Sequence, residues 1–142
     1  MKKLNRKGFT LIELLAVIVV LAIVLVVTIP SVISSMNSAK QKSLDNVVAT
    51  IEEYVTKQYE ICRVGTEIMG TDTTTYQSTW FDANCALTAA ASSDAIIEAA
   101  GYNTTDIPNI TGSITNNKYV ITKVNNGAAM TDGQFNGAKY PA

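Results

Sequence analysis

Two places in this sequence hold residues whose types and spacing could do chemistry: a lone carboxylate in an apolar run, and a pair of cysteines further on. Glu13 is the only charged residue in Leu11–Ile29, LIELLAVIVVLAIVLVVTI. A carboxylate at the centre of a bilayer costs about 2.5–3.5 kcal/mol on insertion scales and less near the end of a span, so the position calls for a compensating group. Were the backbone cut after Gly8, Phe9 would carry a new α-amino group. Glu13 would then lie four residues on, in the first helical turn. The helix dipole favours an acid there, and its charge could pair with an amine, either its own chain's or that of a neighbouring helix packed in register. The alternative is an interfacial glutamate that snorkels to lipid headgroups.

Other chemistry is poorly supplied. The chain has no histidine, which removes the commonest general base and metal ligand at neutral pH. Cys62 and Cys85 cannot build a four-ligand zinc site without it, and no EF-hand spacing occurs. Asp72, Asp82 and Asp132 could meet around calcium only by tertiary accident, because no ligand spacing links them, and Asp132-Gly133 is more simply a turn. Gly101, Gly112 and the other glycines form neither a phosphate loop nor a dinucleotide fingerprint. Glu52 and Glu53 are adjacent, hence point in different helical directions, and read as a solvated face rather than a catalytic pair. No catalytic residue, cofactor or metal site is expected, and the protein does not read as an enzyme.

The elements that position Glu13 follow from composition. The chain has 142 residues, room for one modest domain. Its hydrophobic fraction of 47% is concentrated in the 19 residues Leu11–Ile29, which as a helix would span about 28 Å, close to a bilayer's hydrocarbon core. Lys2, Lys3, Arg6 and Lys7 precede it without an opposing acid, so the positive-inside rule places the start in the cytoplasm and exports Pro30 to Ala142. Without residues 1–8 the chain keeps seven basic and twelve acidic side chains, a formal −5, and offers no basic stripe to a nucleic acid. A conventional cleaved signal peptide fits poorly, since the apolar run ends in Thr-Ile-Pro-Ser rather than a small-residue cleavage site. Pro30 deletes an amide hydrogen bond and should kink or break the helix at the membrane exit, with helical periodicity resuming afterwards.

Arg6-Lys7-Gly8-Phe9-Thr10-Leu11-Ile12-Glu13-Leu14, followed by the apolar run and Pro30, resembles the leader and first helix of bacterial type IV prepilins and their pseudopilin relatives. The resemblance covers residues 1–35 well and the remainder loosely. It implies a leader of residues 1–8, a hydrophobic membrane and assembly helix over 9–30, and a helix continuation with an exported globular domain over 31–142. It implies cleavage between Gly8 and Phe9 by a membrane-embedded prepilin peptidase, methylation of Phe9, and a role for Glu13 in neutralising a neighbouring subunit's amino terminus during assembly. The implied partners are further copies of the chain in a helical polymer, the peptidase, an assembly platform with its ATPase, and the cytoplasmic membrane before assembly. The implied final location is an extracellular pilus. Many pilins carry a glycine in the apolar helix where this chain has Ala22, so that helix-weakening residue is absent. A minor pilin, a pseudopilin of a secretion or DNA-uptake system, and a single-pass anchored binding domain stand as alternatives. Asn103-Thr-Thr and Asn109-Ile-Thr match the asparagine-glycosylation pattern, which in a bacterial protein reads as chance.

Beyond Pro30, Ile33, Met36, Leu44, Val47, Val48, Ile51, Tyr54, Val55 and Tyr59 form one stripe of an amphipathic helix over Ser31 to Cys62. From Leu44 on the stripe reads as core. The Ser-rich part before it reads as a projecting segment able to meet other subunits. After Cys62 the helical period is lost, and Gly65 to Thr79 reads as an irregular connection or short strands, with Trp80 and Phe81 covering the core. Ser93 to Gly101 reads as a short capped helix stopped by glycine. Ile110–Thr115 and Tyr119–Val124 flank Asn116-Asn117-Lys118 as a hairpin, and Asn125-Asn126-Gly127 offers a second turn before Ala128 to Met130. Gly133 and Gly137 punctuate a final strand or loop. The sum is an α+β fold, a long amino-terminal helix laid on a small antiparallel sheet, which also resembles the globular region of pilins. Cys62 and Cys85 fall on the exported side, where a disulfide can persist; two reduced buried thiols are the alternative. Many pilins bridge cysteines nearer the carboxyl terminus, so the receptor-binding role of that loop does not transfer to this chain.

Overall fold

The computed structural model describes residues 10–69 and 79–142. The architecture is α+β, as in pilins: helix α1 (Leu11–Met69), helix α2 (Ser93–Ala99), and an antiparallel pair of strands, β1 (Ile110–Thr115) and β2 (Lys118–Val124). The chain divides into two compact units, Met1–Met36 and Asn37–Ala142.

α1 decides one expectation and corrects another. It continues through Pro30, which excludes a break there. The proline removes only its own N–H and leaves the Val26 carbonyl without its usual donor, a local loss that the rest of a long hydrogen-bond ladder absorbs. It also runs about two turns beyond Cys62, to Met69. Gly65 alone does not stop it, because a single glycine costs only about 1 kcal/mol, a local loss within a 59-residue helix. The segment between Met69 and Thr79, which includes Asp72, lies outside the described residues.

In the second unit α1 contributes Leu44, Val48, Ile51 and Val55, all at most 1% exposed and spaced 4, 3 and 4 residues apart, one stripe of a helix. Each such side chain contributes about 1.5–3 kcal/mol on burial. They share a core with Ile96 and Ile97 of α2, Ile107, Tyr119, Ile121, Val124, Met130 and Phe135. Trp80 and Phe81 close it as expected, Trp80 meeting Tyr54 edge-on at 6.1 Å between ring centroids. Cys62 is bonded to Cys85, their Cα atoms 5.8 Å apart, which ties α1 to the segment that follows it.

α2 begins at Ser92, whose Oγ accepts the Ala95 N–H at 3.2 Å, while Ser93 Oγ accepts the Ile110 N–H at 2.7 Å and joins α2 to β1. It ends on Gly101 at φ +90°, with the Gly101 N–H bonded to the Glu98 carbonyl and the Tyr102 N–H to the Ile97 carbonyl, the paired bonds of a Schellman cap. The hairpin turn is one residue tighter than the sequence suggests: Lys118 pairs with Thr115, and Asn116 and Asn117 alone make the turn, at φ +51° and +64°. Two left-handed residues match the right-handed twist of the strands, and asparagine tolerates that conformation. Asn125, Asn126 and Gly127 form a second left-handed turn, at φ +49°, +54° and +83°. Ala128 to Met130 is not a strand. The tail instead loops through Gly133 and Gly137, returns main-chain bonds between Met130 and Gly137–Ala138, and meets β2 in a single bridge from Tyr140 to Val124.

β2 has one edge on β1 and the other on α1. The outward N–H of Tyr119 donates to Thr56 Oγ1 at 3.0 Å, that of Ile121 to Glu52 Oε1 at 2.7 Å, and that of Val124 to the Tyr140 carbonyl at 3.1 Å. Glu52 is therefore not part of a solvated face: it is half-buried and seals a strand edge, whereas Glu53 is exposed and pairs with Lys57 at 2.8 Å. A two-stranded sheet is marginal on its own, and side-chain acceptors from α1 take the place of a third strand.

Candidate functional site

The apolar half of α1 has no covering within the chain. Every described residue from Thr10 to Ala39 is exposed, with Leu11 at 87% and Val26 at 72%. Among the described residues this is the one helix long and apolar enough to cross a membrane. A soluble core helix would be buried by its own domain, and this segment is not. Its second threonine is satisfied locally. Thr28 Oγ1 donates to the Leu25 carbonyl at 3.3 Å, the back-bonding a hydroxyl uses inside a helix.

Glu13 lies in the first turn, where its charge meets the positive end of the helix dipole. The Thr10 N–H donates to Glu13 Oε2 at 3.0 Å, and the Glu13 N–H donates to Thr10 Oγ1 at 3.4 Å. The Leu14 N–H bonds the Thr10 carbonyl at 3.1 Å, which makes Thr10 the helix N-cap and Glu13 its third residue. This is a capping box: two amides that would otherwise face hydrocarbon or headgroups unpaired are satisfied reciprocally. One oxygen of the carboxylate is thus held by its own backbone, and Oε1 has no partner among the described residues. Thr10 is the residue the sequence reading passes over. Its signal was present as Thr-x-x-Glu ahead of an apolar run.

Gly8 and Phe9 lie outside the described residues. Pro30 sits inside α1 seventeen residues after Glu13. The site is linear: a capped, charged helix start, an apolar shaft and a proline.

The second unit holds no comparable constellation. Among the described residues no three of histidine, cysteine, aspartate and glutamate converge on a metal position. The Asp82 carboxylate accepts the Asn84 and Ala86 N–H groups at 2.8 and 3.0 Å, and Asp132 Oδ2 accepts the Thr131 hydroxyl at 3.1 Å. A cavity of about 100 Å³ beside Thr105, Pro108, Met130 and Asp132 is well below the roughly 300–1,000 Å³ of small-molecule sites. Tyr119 and Tyr140 have phenol pKa values raised first by burial and then by the Glu52 carboxylate, Tyr140 also by Asp45, and neither faces a cleft.

Residues 3–29 match the family described as the prokaryotic N-terminal methylation motif, the leader signature of type IV pilins. The match spans Lys3, Arg6 and Lys7, then Gly8, Phe9, the capping box and the apolar shaft to Ile29. That motif belongs to structural, pilin-type proteins and not to an enzyme family. The motif supports reading the chain as a pilin- or pseudopilin-like precursor. No curated protein and no solved structure matches the chain.

Proposed function

We propose that the chain is a structural subunit of a type IV pilus, held in the cytoplasmic membrane by its apolar helix, cut between Gly8 and Phe9 by a prepilin peptidase, methylated on Phe9, and polymerised through that helix. The observation that carries this reading is the coincidence of the methylation motif over residues 3–29 with a helix whose apolar residues are exposed on every side. Such a helix has two environments that suit it, lipid and a bundle of like helices. Moving from one to the other keeps its apolar contacts, so the distinguishing interactions must come from its polar groups. Glu13 Oε1 is the free acceptor, and the α-amino group on Phe9 of a neighbouring copy is the donor that cleavage creates. A charge-assisted bond in so apolar a setting contributes about 1.5–3 kcal/mol. An assembly platform and ATPase supply the work of extraction as separate proteins, and the exported unit, Asn37–Ala142, coats the filament.

The mass of the mature protein tests the reading. Loss of residues 1–8 together with gain of one methyl group is expected, and an intact Met1 in the membrane-bound protein overturns it. Abundance in sheared surface filaments separates a major pilus subunit from a minor pilin or pseudopilin.

A further inference from the structure

The second unit is acidic overall, with seven lysines and arginines against eleven aspartates and glutamates over residues 37–142. Its charge is unevenly placed. Lys40 and Lys42 stand on α1 within twelve residues of Pro30, and between them Gln41 clasps the main chain of Lys139, Nε2 donating to the Lys139 carbonyl at 2.8 Å and Oε1 accepting the Lys139 N–H at 3.2 Å. Lys40 Nζ donates to the Asn136 carbonyl at 3.4 Å, which fastens the same tail. Lys40 and the tail that carries Lys139 are thereby brought together where the chain enters the unit, and Lys42 follows Lys40 on the same turn of α1. None has a carboxylate partner among the described residues. Asp45, whose Oδ1 accepts from Gln41 Nε2 at 3.1 Å, is the nearest acid along the helix and leaves the cluster near +2. The four remaining bases of residues 37–142 are outnumbered by ten acids.

In the sequence Lys40 follows Ile29 by eleven residues and Lys42 by thirteen, so the chain itself tethers these lysines near the surface that Leu11–Ile29 would cross, where the field of anionic headgroups extends about a Debye length, roughly 8 Å. We propose that Lys40, Lys42 and Lys139 form a basic collar that binds anionic phospholipid headgroups of the outer leaflet while the subunit waits in the membrane. The proposal rests on the membrane reading of Leu11–Ile29. Charge complementarity chooses the occupant, because a locally cationic end of an anionic unit, tethered this close to a bilayer, meets headgroups before any soluble partner.

The full chain, reconstituted in vesicles of phosphatidylcholine alone or with roughly one third phosphatidylglycerol, tests it by acetylation of lysines and mass spectrometry. Labelling of Lys42 and Lys139 is expected to fall at least about threefold in the anionic vesicles and to recover near 1 M salt, where the Debye length is about 3 Å. Lys118 and Lys123 on the hairpin serve as controls and should not change. Equal labelling in the two lipids overturns the collar, as does protection that is uniform over all lysines. Protection that appears only in assembled filaments also overturns it and assigns the cluster to the acidic face of a second copy. A chain that fails to float with vesicles defeats the membrane reading instead, and the collar with it.

Discussion

Replacing Glu13 separates two duties that its carboxylate combines. One is the cap, in which Oε2 accepts the Thr10 N–H at 3.0 Å. The other is the proposed charge pair with a neighbouring amino terminus. Glutamine at the third helical position completes a capping box as glutamate does, so Glu13→Gln keeps the first duty and loses the second. Glu13→Ala loses both, the cap alone being worth about 0.5–2 kcal/mol. Thr10→Val removes only the longer bond, 3.4 Å from the Glu13 N–H to the hydroxyl, and leaves the carboxylate charged and in place. If pairing contributes about 1.5–3 kcal/mol per subunit, losing it weakens subunit association by roughly ten- to a hundredfold. Filament yield after shearing, set against the membrane pool and normalised to correctly processed protein, reads the difference. Gln and Ala variants are expected to fall together by at least tenfold, with Thr10→Val within about threefold of the parent. Wild-type filaments from Glu13→Gln and none from Glu13→Ala would refute the charge argument and assign Glu13 to the cap.

Four further outcomes follow from the second unit, each read as a change in thermal or chemical unfolding of the detergent-solubilised chain by the near-ultraviolet signal of Trp80. Glu52→Ala leaves the Ile121 N–H unpaired in a half-buried setting, and should cost about 1.5–3 kcal/mol, lowering the midpoint by on the order of 10 °C, with Glu52→Gln milder. Gly133→Ala places a Cβ against Asp106 Oδ1 at φ +73° and should cost more than Gly101→Ala, where φ is +90° but the space is open and about 1–2 kcal/mol is expected. Replacing Cys62 and Cys85 by alanine removes the closure of a 24-residue loop and should lower stability by about 3 kcal/mol; an unchanged denaturation midpoint would contradict this. Because burial and the Glu52 carboxylate raise the Tyr119 phenol pKa, the folded state holds that proton more tightly than the unfolded chain does. The resulting stability is complete below about pH 10 and lost as pH rises from there through the raised value, so Tyr119→Phe should flatten the decline above pH 10.

Much of the fold is legible in residue spacing because the periods are strong. The stripe Leu44, Val48, Ile51, Val55 has no alternative to one helical face, and β1 is bounded where turn-forming asparagines follow β-branched residues. The misses have local causes. Lys118 looks like a turn residue by type, yet a turn of two left-handed asparagines needs no third member. Glu52 looks solvated beside Glu53, and only the tertiary position of β2 turns it into an acceptor for a strand edge. The end of α1 is blurred by Gly65, whose effect on a helix is a matter of about 1 kcal/mol and is decided by its neighbours. The candidate site is legible to a greater degree than the domain, since it is built from contiguous residues: a capping box, a charge and an apolar run need no folding to be brought together. Thr10 is the exception, hidden by attention to Glu13's charge at the expense of its backbone.

α1 carries two hydrophobic patterns in one helix, and the contrast between them locates specificity. From Leu44 to Tyr59 the large apolar residues keep to one face, so the partner surface is fixed by the fold of the same chain. From Leu11 to Ile29 they occupy every face, and any apolar surrounding serves equally well. Such a segment cannot select a register or a neighbour by burial, because sliding one helix past another exchanges like for like. Selection has to come from the few polar groups left without internal partners. Thr28 is satisfied by the Leu25 carbonyl and Glu13 Oε2 by the Thr10 amide. What remains is Glu13 Oε1 at one end and, opposite Pro30, the Val26 carbonyl at the other. A neighbour that supplies a cation at the first is held in register by it, and one displaced by a single helical turn, about 5.4 Å, leaves a carboxylate oxygen in hydrocarbon without a donor. In the proposed polymer, the penalty for that displacement, rather than the attraction of the apolar shaft, is what fixes the register of a helix that is apolar all round.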